Sequence, residues 1–115
     1  MSRRPCILFV CSKNQWRSPT AEAVYCNDDR ISVRSRGTAR AAVQSIRSSD
    51  IVWADVILVM EDKHRQRIQA NFPGESKYKP VHVLVIPDDY PFMDAELVDL
   101  IKSATESIIV TLQQS

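Results

Sequence analysis

Three short, almost unbroken apolar runs constrain this chain more than any other feature: "CILFV" at 6–10, "DVILVM" at 55–60 and "VHVLVI" at 81–86. Each has the length of a strand, and none shows the strict alternation of a strand with one wet face. That pattern belongs to strands covered by helices on both sides of a parallel sheet. "ISV" at 31–33 reads as a further short strand. Helix-forming stretches separate these runs. After Ser18-Pro19, where serine can cap and proline needs no N–H at a first helical position, "TAEAVYC" continues as a helix. "EDKHRQRIQANF" at 61–72 puts His64, Ile68 and Phe72 along one helical face. Asp94 can cap a closing amphipathic helix that runs through Leu97, Ile101, Ile108 and Leu112. Between Arg34 and Ser49 the pattern is mixed, with a turn at Gly37 and a short helix expected within 40–49; 72–80 is a turn-rich connector and 87–93 a loop. This alternation predicts an α/β fold: a three-layer α/β/α sandwich around a four-stranded parallel sheet, one domain over 1–115.

Composition narrows the class without naming a function. A chain of 115 residues can bury one modest core, and 44% hydrophobic with 25% charged residues is ordinary for a globular protein. Fifteen Lys plus Arg against fourteen Asp plus Glu leave a net charge of +1, so overall charge makes no case for nucleic acid or a membrane surface. No apolar run approaches the ~20 residues of a membrane span. The start, "MSRRPCILFVCSK", is basic and then apolar, but has no cleavage pattern and reads as leading into a first strand. Three cysteines without zinc-type spacing point to a reducing compartment, the cytoplasm by default, with neither a disulfide framework nor a metal centre.

The polar decapeptide "VCSKNQWRSP" at 10–19 follows the first apolar run directly. In parallel α/β sheets ligands bind beyond the carboxyl ends of the strands, where helix N-termini offer free N–H groups and partial positive charge. Seven residues curling from Cys11 to Arg17 can turn successive N–H groups around an anion. Arg17 brings a planar fork that can hold two oxygens of a phosphate. A cysteine surrounded by those groups is favoured as the thiolate. Thiolate and phosphate cradle together equip the loop for attack of sulfur on phosphorus. The phosphate-contacting residues expected along it are Ser12, Lys13, Asn14, Gln15, Trp16 and Ser18.

"VCSKNQWRSPTAEA" resembles the signature loop of the low-molecular-weight protein tyrosine phosphatases. "RSRGT" at 34–38 is similar to that family's Ser-Ala-Gly-Thr segment, "WADVILVMEDKH" at 53–64 to its segment ending in Met-Glu-x-x-His, and "IPDDY" at 86–90 to its Ile-Pro-Asp-Pro-Tyr. The four segments occur in family order across nearly the whole chain. The resemblance implies a four-stranded parallel sheet with helices on both faces. It also implies that Cys11 is a nucleophile forming phosphocysteine, and that Arg17 binds phosphate and stabilises the transition state. Asn14 would hold the loop in shape and Ser18 would donate a hydrogen bond to the Cys11 thiolate. Asp88 would be the general acid and then the base, with Asp89 in the place of the family's proline, although the chemistry accepts either carboxylate. Asp89, Tyr90 and Glu61 are expected at the pocket rim. No metal or other cofactor is implied. Phosphorylated protein or a small phosphoester is the implied substrate, and a monomer or weak dimer the implied state.

This sequence departs from the family pattern in three places. Lys13 stands where the family has glycine, which implies either a reshaped loop or added charge in the cradle. Trp16 stands where a second cysteine is common, and is either a substrate wall or a packing residue. Between Thr38 and Trp53 the chain is shorter than the family, where a helix and an aromatic wall of the phosphotyrosine slot are otherwise found. Cys6 is expected in the core, Cys26 in the core or partly exposed, and His64 packed rather than catalytic. Arg34, Arg36, Arg40 and Arg47 read as a solvated surface, with a polyanion-contacting patch as the sharper alternative. A phosphocysteine carrier, an arsenate reductase lacking its further cysteines, and a phosphate-binding module without turnover are the competing readings.

Overall fold

The computed structural model describes residues 4–114; the basic start at 1–3 lies outside them. The order is β1 (Cys6–Cys11), α1 (Arg17–Tyr25), β2 (Ser32–Gly37), α2 (Ser48–Trp53), β3 (Val56–Val59), α3 (Asp62–Asn71), α4 (Pro73–Ser76), β4 (Val81–Val83) and α5 (Ala95–Gln113). The four strands form one parallel sheet in the order β2-β1-β3-β4. Among the described residues no helix is long and apolar enough to cross a membrane.

Side chains of successive strand residues point to opposite faces, and here each face has its own core. Ile7, Phe9 and Cys11 of β1 join Val56, Leu58 and Met60 beneath α1 and α5, packed on Ala21, Tyr25, Leu97, Ile101 and Ile109. Leu8 and Val10 join Ile57 and Val59 beneath α2 and α3, packed on Ile51 and Ile68. Both faces of the central strands are dry, which is why their sequences are almost unbroken apolar runs. The period-two alternation also fixes a later step: Cys11 belongs to the α1 face, and the next residue, Ser12, is sent toward α3.

Four local expectations are corrected. Helix α1 begins at Arg17, so Ser18 is its second residue and not its cap, while Pro19 still falls in the first turn, where no N–H is required. β2 extends to Gly37, where Cys11 and Gly37 are register partners. The short helix expected within 40–49 occupies 48–53, with turns and bends before it. β4 is shorter than the run 81–86 and only half-buried: it ends at Val83, and the backbone bulges at Val85, φ 58°, while the N–H groups of Leu84 and Ile86 still donate to the Val59 (2.8 Å) and Met60 (2.9 Å) carbonyls.

Candidate active site

Carbonyl groups show how the loop after β1 is shaped. The Cys11, Ser12 and Lys13 carbonyls accept hydrogen bonds from the N–H groups of Thr38 (2.9 Å), Ala39 (2.9 Å) and Val43 (3.0 Å). In a trans peptide the C=O of one residue and the N–H of the next are antiparallel. With those three carbonyls held by segment 38–43, the N–H groups of Ser12, Lys13 and Asn14 face the other way. Segment 38–43 therefore braces the loop from behind. Gly37 permits the close approach: a Cβ there would lie 2.6 Å from the Ser12 carbonyl oxygen and 2.9 Å from the Asn14 nitrogen.

Asn14, buried, sits at the tightest point with φ 54°, a region asparagine tolerates better than most residues. Its amide donates to Ser18 Oγ (2.9 Å) and Ser35 Oγ (3.1 Å), and the Ser35 hydroxyl in turn donates a hydrogen bond to Glu22 (2.7 Å). Ser18 Oγ lies 3.0 Å from Cys11 Sγ. Since Asn14 donates to Ser18, the serine proton is free to point at sulfur, with the Arg36 carbonyl a longer alternative at 3.3 Å. Lys13 has no left-handed φ, so a side chain is carried where the family has glycine without backbone strain of that kind.

Arg17 is 2% exposed and held from three sides. It donates to the Ile86 carbonyl (2.8 Å) and pairs with Glu61 (3.2 Å) and, more loosely, with Asp88 (3.6 Å). Burial raises the Glu61 carboxyl, but Lys63 and Arg17 outweigh it and the net direction is down. A cavity of about 190 Å³ lies over the loop, lined by Cys11, Ser12, Lys13, Gln15, Trp16, Arg17, Lys63 and Asp88. Of the expected residues, Asn14 and Ser18 are buried away from the cavity, and Glu61 meets it through Arg17 and Lys63, which line it. Asp89 is exposed and Tyr90 is packed against the core, and neither lines the cavity. Trp16 is 42% exposed and forms part of the lining.

The sequence pattern missed Lys63 and the polar partners of His64. Lys63, the second residue of α3, brings an ammonium to the cavity, 3.2 Å from Glu61. His64 is fully buried, as expected, but in polar company: Nε2 lies 2.8 Å from Ser12 Oγ, and Nδ1 accepts from the Glu61 N–H at 3.0 Å. The arginine patch is largely spoken for. Arg34 (3.2 Å) and Arg36 (3.1 Å) both pair with buried Asp50, which also accepts from the Arg47 N–H. Cys6 is buried and Cys26 exposed. Among the described residues no cluster of His, Cys, Asp or Glu is placed to hold a metal ion.

No protein-family model and no curated protein matches this chain. Solved structures do. The low molecular weight protein tyrosine phosphatase SP-PTP from Streptococcus pyogenes is similar with a TM-score of 0.78 at 18% identity, over 94% of this chain and 93% of that one. Wzb from Vibrio vulnificus in complex with benzylphosphonate gives 0.74 at 23% identity, over 95% and 99%. The YwlE arginine phosphatase from Geobacillus stearothermophilus gives 0.73 at 24% identity, over 96% and 94%. At these identities the likeness is one of architecture, and the chain has the fold of the low-molecular-weight protein tyrosine phosphatases.

Proposed function

We propose that the protein is a cysteine-dependent phosphomonoesterase of the low-molecular-weight protein tyrosine phosphatase type. One observation carries this reading: Cys11 Sγ, with a hydroxyl 3.0 Å away, opens on a cavity that also receives Arg17 and Asp88. The Cys11 thiolate attacks phosphorus in line, forming a P–S bond as the ester P–O bond breaks. Asp88, protonated, gives its proton to the departing oxygen. Water then attacks the phosphocysteine, loses a proton to the Asp88 carboxylate, and the P–S bond breaks to release phosphate and the thiolate. Loop N–H groups and the Arg17 fork bind the equatorial oxygens, where charge accumulates. Arg17 exchanges its contact with Glu61 or Asp88 for the phosphate as it does so.

The substrate class is a phosphorylated protein side chain, phosphotyrosine first. The similar structures bear names of tyrosine and of arginine phosphatases, so phosphoarginine stands beside it as a phosphoramidate whose P–N bond breaks in place of the ester P–O bond, with the proton going to the departing nitrogen. The Lys13 and Lys63 ammonium groups at the cavity favour a second reading, a small or polyanionic phosphoester such as an RNA end. The test is hydrolysis of p-nitrophenyl phosphate, then of phosphotyrosine peptides, phosphoarginine and phosphorylated RNA ends. Cys11→Ser is expected to abolish turnover while still binding orthovanadate, and rapid quench of wild type to trap phosphocysteine. Tight phosphate binding with no turnover on any ester would leave a binding module instead. Phosphocysteine that persists for minutes would indicate a carrier.

A further inference from the structure

Ser12 and His64 are arranged more specifically than packing requires. The Glu61 N–H donates to Nδ1 of His64, so in the neutral ring the proton resides on Nε2. Burial first, and the Arg17 charge second, hold His64 down at about 4; Lys63 and Arg67 act in the same direction and Glu61 against it. The ring is therefore neutral near pH 7, and Nε2–H donates to Ser12 Oγ at 2.8 Å. That bond uses the acceptor side of the hydroxyl. Ser12 cannot return its own proton to the histidine, and among the described residues His64 is its side-chain partner. Ser12 also lines the cavity over Cys11.

We propose that Ser12 is an oxyanion ligand, its hydroxyl donating to a non-bridging oxygen of bound phosphate, and that His64 is the positioning residue that aims this proton. The inference rests on the phosphate-site reading above and adds a side-chain donor to the backbone ones. Backbone N–H groups are fixed by the chain, but a hydroxyl rotates, and its value as a donor depends on a neighbour that fills its lone pair. Protonation of His64 would put a second N–H against the Glu61 N–H, so the arrangement requires the neutral ring.

The test is titration of inorganic phosphate by calorimetry at pH 7, with p-nitrophenyl phosphate turnover measured alongside. The variants are Ser12→Ala, His64→Asn, His64→Gln and the double variant Ser12→Ala/His64→Asn, each checked for cooperative thermal unfolding. Asparagine can keep the acceptor for the Glu61 N–H but is too short to donate to Ser12, whereas glutamine reaches Ser12 with an N–H. A hydrogen bond to a charged oxygen makes each of Ser12→Ala and His64→Asn about tenfold weaker for phosphate, and the double variant no weaker than either. His64→Gln should stay within about threefold of wild type. Wild-type phosphate affinity in folded Ser12→Ala, or losses that multiply in the double variant, would overturn the proposal. His64→Gln as weak as His64→Asn would overturn the positioning role. Coupled phosphate binding without any turnover would leave this inference standing and remove the hydrolase, whereas turnover without the coupling would do the reverse; wild type that binds no phosphate removes both.

Discussion

The loop after β1 and the loop after β4 end over the same cavity and are held in opposite ways. The first is braced by three backbone hydrogen bonds from segment 38–43 and by buried side chains on both faces, Asn14 and Ser18 on one and His64 on the other. The second begins just past an exposed left-handed Val85, beyond the last backbone hydrogen bond from Ile86 to Met60, and carries an Asp88 side chain that is 57% exposed. It is tied back through the Ile86 carbonyl to Arg17 and the Met93 N–H to Thr20. A phosphate cradle gains from rigidity, because donors fixed before binding lose nothing on reaction. A proton donor must instead meet leaving groups of different shape, which an exposed loop allows. On the function proposed above, the contrast separates binding from proton transfer, and each of the following substitutions bears on one side of it.

The largest effect is expected at Asp88. Asp88→Asn should lower kcat by about a hundredfold or more for an alkyl or unactivated aryl phosphate, and far less for p-nitrophenyl phosphate, whose leaving group needs little protonation. Its unfolding midpoint should stay near that of wild type, since the carboxylate is exposed and its contact with Arg17 is loose. Equal losses for both leaving groups would move the acid role elsewhere, to Asp89 first.

The braced loop should reveal itself in acid. His64 titrates near 6.5 when unfolded and at about 4 when folded. Between those values the unfolded chain takes up a proton that the native protein refuses, so stability falls as pH drops from 6.5 toward 4 and levels off below it. The shift corresponds to on the order of 3 kcal/mol at most. Urea unfolding at pH 7, 5.5 and 4.5 measures this as the difference between wild type and His64→Gln, which cancels the carboxylates common to both. Parallel pH curves would mean that His64 is not held neutral by burial.

Gly37→Ala strikes the same loop through the backbone. The added methyl meets the Ser12 carbonyl oxygen and Ala42 Cβ, each at 2.6 Å, and neither is the far end of a flexible side chain. Overpacking of this kind costs about 2 kcal/mol, and the loop must move to relieve it, so phosphate affinity should fall with stability. A folded variant with unchanged phosphate affinity would show that segment 38–43 does not set the loop's shape.

Much of this was visible in the sequence, and the misses have physical reasons. The central strands were legible because dry faces on both sides demand apolar residues at every position, as Ile57 and Leu58 show. Cys11 and Arg17 were legible because strand, loop and helix follow in order. Segment 38–47 was not, because its shape is set by hydrogen bonds to residues 11–13 and to Gly37 and not by any helical or strand period of its own. Helix α1 starts at Arg17, earlier than Ser18-Pro19 suggested, because Ser18 is not used as a cap: its hydroxyl lies against Cys11 Sγ. His64 was assigned correctly to the buried face of its helix, but its partner lies 52 residues away. A signal did exist: alternation along β1 sends Ser12 to the α3 face, and a histidine at the third position of α3 can reach it.

Val85 offers the smallest and most discriminating test of the looser loop. A β-branched residue at φ 58° costs about 1 kcal/mol or more, and the side chain, 79% exposed, recovers little by packing. Asparagine visits this region at lower cost, so Val85→Asn should raise the unfolding free energy by about 1 kcal/mol. Glycine gains the same relief but loses part of it to the greater freedom of the unfolded chain, and should come out less stable than asparagine. In both variants Ile86 keeps its carbonyl on Arg17, so phosphate affinity is expected to hold. A stabilised Val85→Asn with a lowered kcat would mean that the strained residue holds Asp88 in place, and that the second loop is as preset as the first.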